Sequence, residues 1–139
     1  MLILDTNVFS VLMQPNTARV VIDWIDEQPI TSIWSTAITI YEIRLGLSLL
    51  PARRKRSALE RAFDRILVEG IEGRILDFDV PAALAAGEID AQSRAIGKPI
   101  DTRDIQIAGI TAHRNATLVT RNVRHFANTG ISLVNPWDA

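Results

Sequence analysis

The chain has no cysteine, a single tyrosine and only two histidines among its 139 residues. Without cysteine there can be no disulfide, no thiolate metal site and no cysteine nucleophile, and a reducing cytoplasm is the natural setting. No apolar run approaches the ~20 residues that span a bilayer. The first five residues lack the basic start of a signal peptide and reach a charge, Asp5, too early. We therefore expect a soluble, cytoplasmic protein that makes no membrane contact.

Length and charge further limit the number of domains and the kinds of partner that the chain can have. At 139 residues the chain suits one domain, predicted over 1–139, with room for a buried core. The formal net charge of −1 gives no overall attraction to nucleic acid. Seven basic residues are nevertheless concentrated between Arg44 and Arg65, against only two acids. Such a segment can guide a polyanion, although a solvated helix face is the more common origin of a charged run.

Short aliphatic segments alternate with amphipathic ones along the chain. We predict strands over 2–4, 32–34, 75–78, 117–120 and 131–134. Helices are predicted over 6–13, 17–28, 52–69, 81–96 and 102–113, another runs from a cap at Ser35 or Thr36 to near Pro51, and a helical turn covers 123–126. This alternation predicts an α/β fold with a short parallel central sheet covered by helices on both sides.

Asp5 directly follows the first predicted strand. In parallel α/β sheets, ligands gather at the carboxyl ends of the strands, so this is a favourable place for chemistry. Thr6 and Asn7 add two more short oxygen-bearing side chains where the next helix begins. Taken alone, however, Asp5 is better explained as the N-cap of that helix.

Glu42 lies beside the apolar stripe of its predicted helix. An unpaired carboxylate there would cost several kcal/mol or shift its pKa. Arg44 is a poor partner, because residues two apart on a helix do not face each other. Gly46, one turn on, adds no charge and leaves room. The position favours a cation as partner, with an arginine from elsewhere in the fold as the alternative.

Asp104 falls in the first turn of the predicted helix 102–113. It could simply favour the helix dipole while Asp101 caps the helix. A functional role for Asp104 is indicated because one edge of the sheet can bring Asp5, Glu42 and Asp104 together. A hard, oxygen-only cluster suits Mg²⁺, with Mn²⁺ as a substitute, and such an ion would activate water for attack on a phosphodiester.

A further polar group follows the predicted strand 117–120. Thr120 and Arg121, together with Asn7, are candidates for positioning a phosphate or a bound water. Asn122 is a candidate metal ligand through its amide oxygen. The alternative for Asn122 is a cap on the turn 123–126.

Four segments, in order, resemble the PIN-domain ribonucleases, in particular VapC-type toxins of the FitB-like subgroup. They read LILDTNVFS at 2–10, STAITIYEIRLGL at 35–47, GKPIDTRDIQIAG at 97–109 and ATLVTRNVRHF at 116–126. The ending Val134-Asn135-Pro136-Trp137 is also similar to that subgroup. The resemblance covers essentially the whole chain.

The resemblance implies a PIN-like fold and a Mg²⁺-dependent endoribonuclease toxin, VapC-like, neutralised by a cognate VapB-like antitoxin. It assigns the acidic roles to Asp5, Glu42 and Asp104, which the residue pattern had already selected. It also implies a homodimer that reaches operator DNA only through the antitoxin.

Two positions depart from the family pattern. Asn122 stands where many PIN domains place a fourth acid, and His125 stands where some relatives carry an aspartate. Both departures put a tightly held second metal in doubt. We expect His125 to be a surface residue and His113 to favour the dipole at its helix C-terminus.

The missing fourth acid motivates a second hypothesis, a non-catalytic PIN-like module acting through antitoxin and operator DNA binding. Another phosphoryl-transfer enzyme is disfavoured, because no Asp-X-Asp pair follows the first strand and no glycine-rich phosphate loop is visible. For partner binding, Leu47 and Leu50 are apolar positions that could accept an antitoxin helix or could equally belong to the core.

Overall fold

Five short parallel strands form one sheet in the computed structural model, which describes all 139 residues. The sheet order is β3-β2-β1-β4-β5, with β1 (Leu2–Leu4), β2 (Ile33–Thr36), β3 (Ile75–Leu76), β4 (Thr117–Val119) and β5 (Ser132–Val134). The helices are α1 (Thr6–Met13), α2 (Arg19–Asp26), α3 (Ala37–Leu49), α4 (Arg54–Arg65), α5 (Val80–Ala95) and α6 (Thr102–His113). All neighbouring strands are parallel, so the predicted α/β fold class is confirmed.

The central strand β1 sends successive side chains to opposite faces of the sheet. Ile3 belongs to a core cluster with residues of α5 and α6, whereas Leu4 belongs to a second cluster with residues of α1, α2, α3 and α4. On the neighbouring strand β4, Leu118 and Val119 divide between the same two clusters. This period-two alternation of apolar residues explains why helices cover both faces.

The register brings the carboxyl ends of three strands together. Leu4 pairs with Val119, and the Asp5 N–H donates to the Val119 carbonyl at 3.0 Å. On the other side of β1, Ile3 pairs with Trp34 of β2. The residues that follow these strands therefore share one edge of the sheet, where Asp5 and Thr120 lie.

Several boundaries differ from the predicted ones for local reasons. β3 stops at Leu76, and Asp79 caps α5 by accepting a hydrogen bond from the Ala82 N–H at 3.0 Å. α2 starts at Arg19, after a 3₁₀ turn over Pro15–Thr17. α4 ends at Arg65 and continues as one π-helical turn over Ile66–Gly70.

Leu47 and Leu50, the two apolar residues considered for partner binding, pack in the core or against it. Leu47 is only 4% exposed and packs within the cluster under α1 to α4, and Leu50 packs partly buried against it. The large hydrophobic side chains that α3 does expose are Tyr41 and Leu49. None of the helices is both long enough and apolar enough to cross a membrane.

Candidate active site

Asp5 is both the N-cap of α1 and a buried carboxylate at the sheet edge. Its Oδ1 accepts a hydrogen bond from the Thr6 N–H at 2.8 Å, and its Oδ2 accepts from the Thr120 hydroxyl at 2.8 Å. Burial raises the pKa of Asp5, and the hydrogen bonds from Thr120 and Thr6 only partly oppose that effect. Capping and site chemistry are therefore compatible at this residue.

Glu42 projects from α3 beside the start of α1. Its Oε1 accepts a hydrogen bond from the Thr6 hydroxyl at 3.1 Å, and Arg103 Nη1 lies 3.8 Å from its Oε2. Burial raises the pKa of Glu42, as do the charges of Asp5 and Asp104. An arginine from elsewhere in the fold is thus present beside Glu42, although at a long distance. Arg44 forms an ion pair with Glu60 at 2.8 Å and none with Glu42.

Asp104 lies in the first turn of α6, while Asp101 caps that helix by accepting from the Arg103 N–H at 3.0 Å. Burial is the largest cause that raises the pKa of Asp104, followed by the charge of Asp5. His125 Nδ1 lies 3.4 Å from Asp104 Oδ2 and acts in the opposite direction. The capping role therefore falls to Asp101, and Asp104 is left facing the site.

The fold thus makes neighbours of three carboxylates: Asp5 at the N-cap of α1, Glu42 on α3 and Asp104 on α6. Each has a raised pKa because burial disfavours its charged form, and Asp5 also raises the pKa of both Glu42 and Asp104. No group of three or more His, Asp or Glu side chains is arranged in the structure so that it could hold a metal ion. The donor chemistry nevertheless fits a hard divalent cation, because carboxylate oxygens are its preferred ligands and a cation would relieve the repulsion.

Thr120 and Asn7 support Asp5 from the side of β4. Thr120 is fully buried, and its hydroxyl donates to Asp5 Oδ2. Asn7 Nδ2 lies 3.5 Å from Asp5 Oδ2, and its Oδ1 accepts from the Arg121 N–H at 3.0 Å. The two residues fix the position of the Asp5 carboxylate relative to β4.

Arg121 and Asn122 are both exposed beside this group. The Arg121 guanidinium lies 4.9 Å from the centroid of the Trp137 ring. Asn122 precedes the 3₁₀ turn Val123–Phe126 but makes no side-chain capping hydrogen bond to it. Its N–H donates instead to the Thr120 hydroxyl at 3.0 Å. The side-chain cap that was the alternative for Asn122 is therefore absent.

The sequence did not indicate the contacts of two basic side chains with the acids, Arg103 with Glu42 and His125 with Asp104. His125 is a surface residue as expected, with 58% of its side chain exposed, yet it also contacts Asp104. The position of His125, one turn after the candidate ligand Asn122, was the sequence feature that could have indicated this contact. Arg103 also stacks on Tyr41, with 5.1 Å between the guanidinium carbon and the ring centroid. His113 lies in the last turn of α6, as expected.

Replacing Glu42 by Gln isolates the effect of this carboxylate on the pH dependence of stability. Burial raises the pKa of Glu42 above its usual value near 4.5. Between that usual pKa, which applies to the unfolded state, and the raised pKa of the folded state, the folded protein binds more protons than the unfolded protein. The free energy of unfolding of the metal-free wild type, relative to Glu42→Gln, is therefore expected to fall as pH rises through that range. Urea denaturation at several pH values measures this difference, and a constant or rising difference would contradict the expectation.

The protein matches the family model described as "PIN domain" over residues 2–131. It is 33% identical over 138 residues to VapC ribonuclease Y4jK of Sinorhizobium fredii, a match that covers 99% of each chain. It is 32% identical over 137 residues to toxin FitB of Neisseria gonorrhoeae, again covering 99% of each chain. The structure of FitAB bound to the IR36 DNA fragment superposes with a TM-score of 0.90 at 32% identity, covering 99% of this chain and 96% of that one.

Proposed function

Because the chain belongs to the PIN-domain family, we propose that it is a metal-dependent endoribonuclease toxin, VapC-like, held in check by a cognate antitoxin. The observation that carries the proposal is the grouping of Asp5, Glu42 and Asp104 at the carboxyl edge of the sheet. Each of these carboxyls has a pKa raised by burial, and a divalent cation would compensate that cost. The family's divalent metal is proposed to be Mg²⁺, with Mn²⁺ as a substitute.

The three carboxylates would hold the cation, with the Asn122 amide oxygen as a fourth candidate ligand. When bound, such a cation supplies Lewis-acid stabilisation of the phosphate and an activated water. The chain's own residues orient these parts. Thr120 holds the Asp5 carboxylate through a buried hydroxyl, and Thr6 holds Glu42. The exposed guanidinium of Arg121, the residue that follows Thr120, is proposed to bind the RNA backbone.

Cleavage of total cellular RNA by the purified chain, with and without Mg²⁺, tests the proposal. We expect cleavage that requires Mg²⁺ or Mn²⁺ and stops on chelation, and growth arrest when the chain is expressed without its antitoxin. A chain that cleaves no RNA, arrests no growth and still forms an antitoxin–operator complex would instead be the non-catalytic module.

Metal binding should also be visible without activity, as a rise in Tm. A cation that binds only the folded state at ~100 times its Kd stabilises by about 2.7 kcal/mol, which corresponds to several degrees in a chain of this size. We expect Mg²⁺ to raise the Tm of the wild type and to raise that of Asp104→Asn much less. Asp101→Asn is the matched control, because asparagine still caps α6 and Asp101 is not a candidate ligand. Equal Tm shifts in all three proteins would contradict the assignment of Asp104.

The antitoxin is proposed to enter a groove between α1, α3 and α4. This groove, of about 270 Å³, is lined by Glu42, by apolar side chains such as Met13 and Leu59, and by Gly46. A partner seated there would cover Glu42 and so block the site.

Replacing Gly46 by leucine tests the groove. A Cβ at Gly46 meets nothing within 4 Å, so the substitution is expected to leave the fold intact while it fills the groove. We expect affinity for the antitoxin to fall about tenfold or more, by analogy with overpacked contact surfaces. Gly87→Leu on α5, equally open and outside the groove, is the control. Unchanged affinity of Gly46→Leu, measured by calorimetry, would place the antitoxin elsewhere.

We propose in addition that residues 1–139 act as one domain in the cytoplasm, and that the chain forms a homodimer. Val80 and Leu84, one turn apart on α5, are 73% and 68% exposed and offer apolar surface for self-association.

Operator DNA is proposed to be reached only through the antitoxin. Light scattering measures the mass of the chain alone, and a gel shift with and without co-expressed antitoxin tests the DNA contact.

A further inference from the structure

A cleft of about 600 Å³ opens directly beside Asp104. One wall is the loop between α5 and α6, and the other is the segment that follows β4. Asp104 itself lines the cleft, which therefore begins at the proposed metal site and leads away from it. Only two of the nine lining residues are hydrophobic, so the cleft is unsuited to an apolar ligand.

Basic side chains line both walls of the cleft. Lys98 stands on the α5–α6 loop, and Arg124 and His125 stand on the opposite segment. Neither Lys98 nor Arg124 takes part in any of the ion pairs of the structure. Of the two acids in the lining, Asp101 already accepts the Arg103 N–H, and Asp104 belongs to the carboxylate group. Apart from Asp104, the cleft therefore carries two cations that are in no ion pair, Lys98 and Arg124, and one carboxylate, Asp101.

Both walls are held in place by backbone hydrogen bonds. The Lys98 N–H donates to the Ser93 carbonyl at 2.9 Å, and Gly97 before it adopts a φ of 71°, which glycine tolerates without strain. On the other wall the His125 N–H donates to the Asn122 carbonyl at 2.9 Å. The cations therefore project from preformed turns.

From these contacts we infer that the cleft binds the sugar–phosphate backbone of single-stranded RNA on one side of the scissile phosphate, through Lys98 and Arg124. The inference rests on the proposed nuclease function and adds a substrate subsite to it. A strand whose phosphate lies at the carboxylates must leave the site, and this cleft provides cations where the adjoining phosphate would pass. Phosphate contacts of this kind hold a strand in register without reading its sequence.

The basic segment between Arg44 and Arg65 is the competing surface. Two of its arginines, Arg44 and Arg56, are tied to Glu60 at 2.8 and 3.5 Å, which reduces the free charge there. Arg54 and Lys55 on α4 remain exposed. They provide a matched comparison, because each pair consists of one arginine and one lysine.

The experiment measures binding of a fluorescein-labelled, single-stranded RNA oligonucleotide of mixed sequence. It uses the Asp5→Asn background, so that the strand stays intact, and compares Lys98→Ala/Arg124→Ala with Arg54→Ala/Lys55→Ala. We expect the cleft variant to lose about tenfold in affinity and to reduce the slope of log K against log salt by about 1.4, the value for two lost contacts to a single strand. The α4 variant should bind as the background does.

Three outcomes would overturn the inference. The α4 variant alone could lose affinity, both variants could bind as the background does, or the cleft variant could lose its antitoxin complex while binding RNA unchanged. Failure of the nuclease function is a separate result, because RNA cleavage by the chain with Asp5 intact is assayed on the same oligonucleotide. Circular dichroism confirms that each variant is folded.

Discussion

Asp5→Asn is expected to reduce RNA cleavage at least about a hundredfold while leaving the stability of the metal-free chain nearly unchanged. The loss follows because a neutral amide binds a divalent cation weakly, and electrostatic stabilisation by the metal is worth several kcal/mol, with about 1.36 kcal/mol for each factor of ten in rate. The fold should persist because asparagine is as good an N-cap as aspartate. Its amide can also meet the Thr120 hydroxyl, which now donates to Asp5 Oδ2 at 2.8 Å.

Asp5→Ala separates the structural role of this side chain from its chemical role. Alanine removes the cap on the Thr6 N–H and leaves the buried Thr120 hydroxyl without its partner. We expect a loss of about 1–3 kcal/mol in the free energy of unfolding in addition to the loss of cleavage. The two variants should therefore differ in urea denaturation and agree in a cleavage assay. If Asp5→Asn cleaved RNA at the wild-type rate, Asp5 would be a cap alone and the site would lie elsewhere.

The positions of the acids could be predicted because they depend on local pattern. Asp5 follows an aliphatic segment, and a residue after a buried parallel strand must lie at the edge where ligands gather. Glu42 and Asp104 follow from helical periodicity in the same way. The family resemblance agrees with this choice of residues.

Which basic side chains contact the acids could not be predicted, because these contacts depend on how distant elements pack. Arg103 reaches Glu42 on another helix, and His125 reaches Asp104 only because the turn after β4 folds towards α6. Periodicity gives the face of a helix on which a side chain lies but not what the opposing element presents. Leu47 illustrates the same limit, since its burial at 4% exposure depends on the core cluster beneath α1 to α4.

Gly109 shows how close packing far from the chemistry supports the site. It lies on α6, five residues after Asp104, where α6 passes α5. A Cβ at Gly109 would lie 2.5 Å from the Ala82 carbonyl oxygen and 2.6 Å from the Ala86 Cβ. These atoms belong to the backbone or are attached directly to it, so they cannot yield by a change of rotamer. Any larger residue at this position must push the two helices apart.

Gly109→Ala is therefore expected to lower the free energy of unfolding by about 2 kcal/mol, since overpacking of about 3 kcal/mol outweighs the gain of about 1 kcal/mol in helix propensity. Gly87→Ala, on the open face of α5 with nothing within 4 Å of the added Cβ, is expected to gain about 0.5–1 kcal/mol. Because α6 carries Asp104, the shift in Gly109→Ala should also weaken the Mg²⁺-dependent rise in Tm. Urea denaturation and thermal melts of the two variants measure both effects. Equal stability of the two variants would mean that α5 and α6 do not pack at this distance.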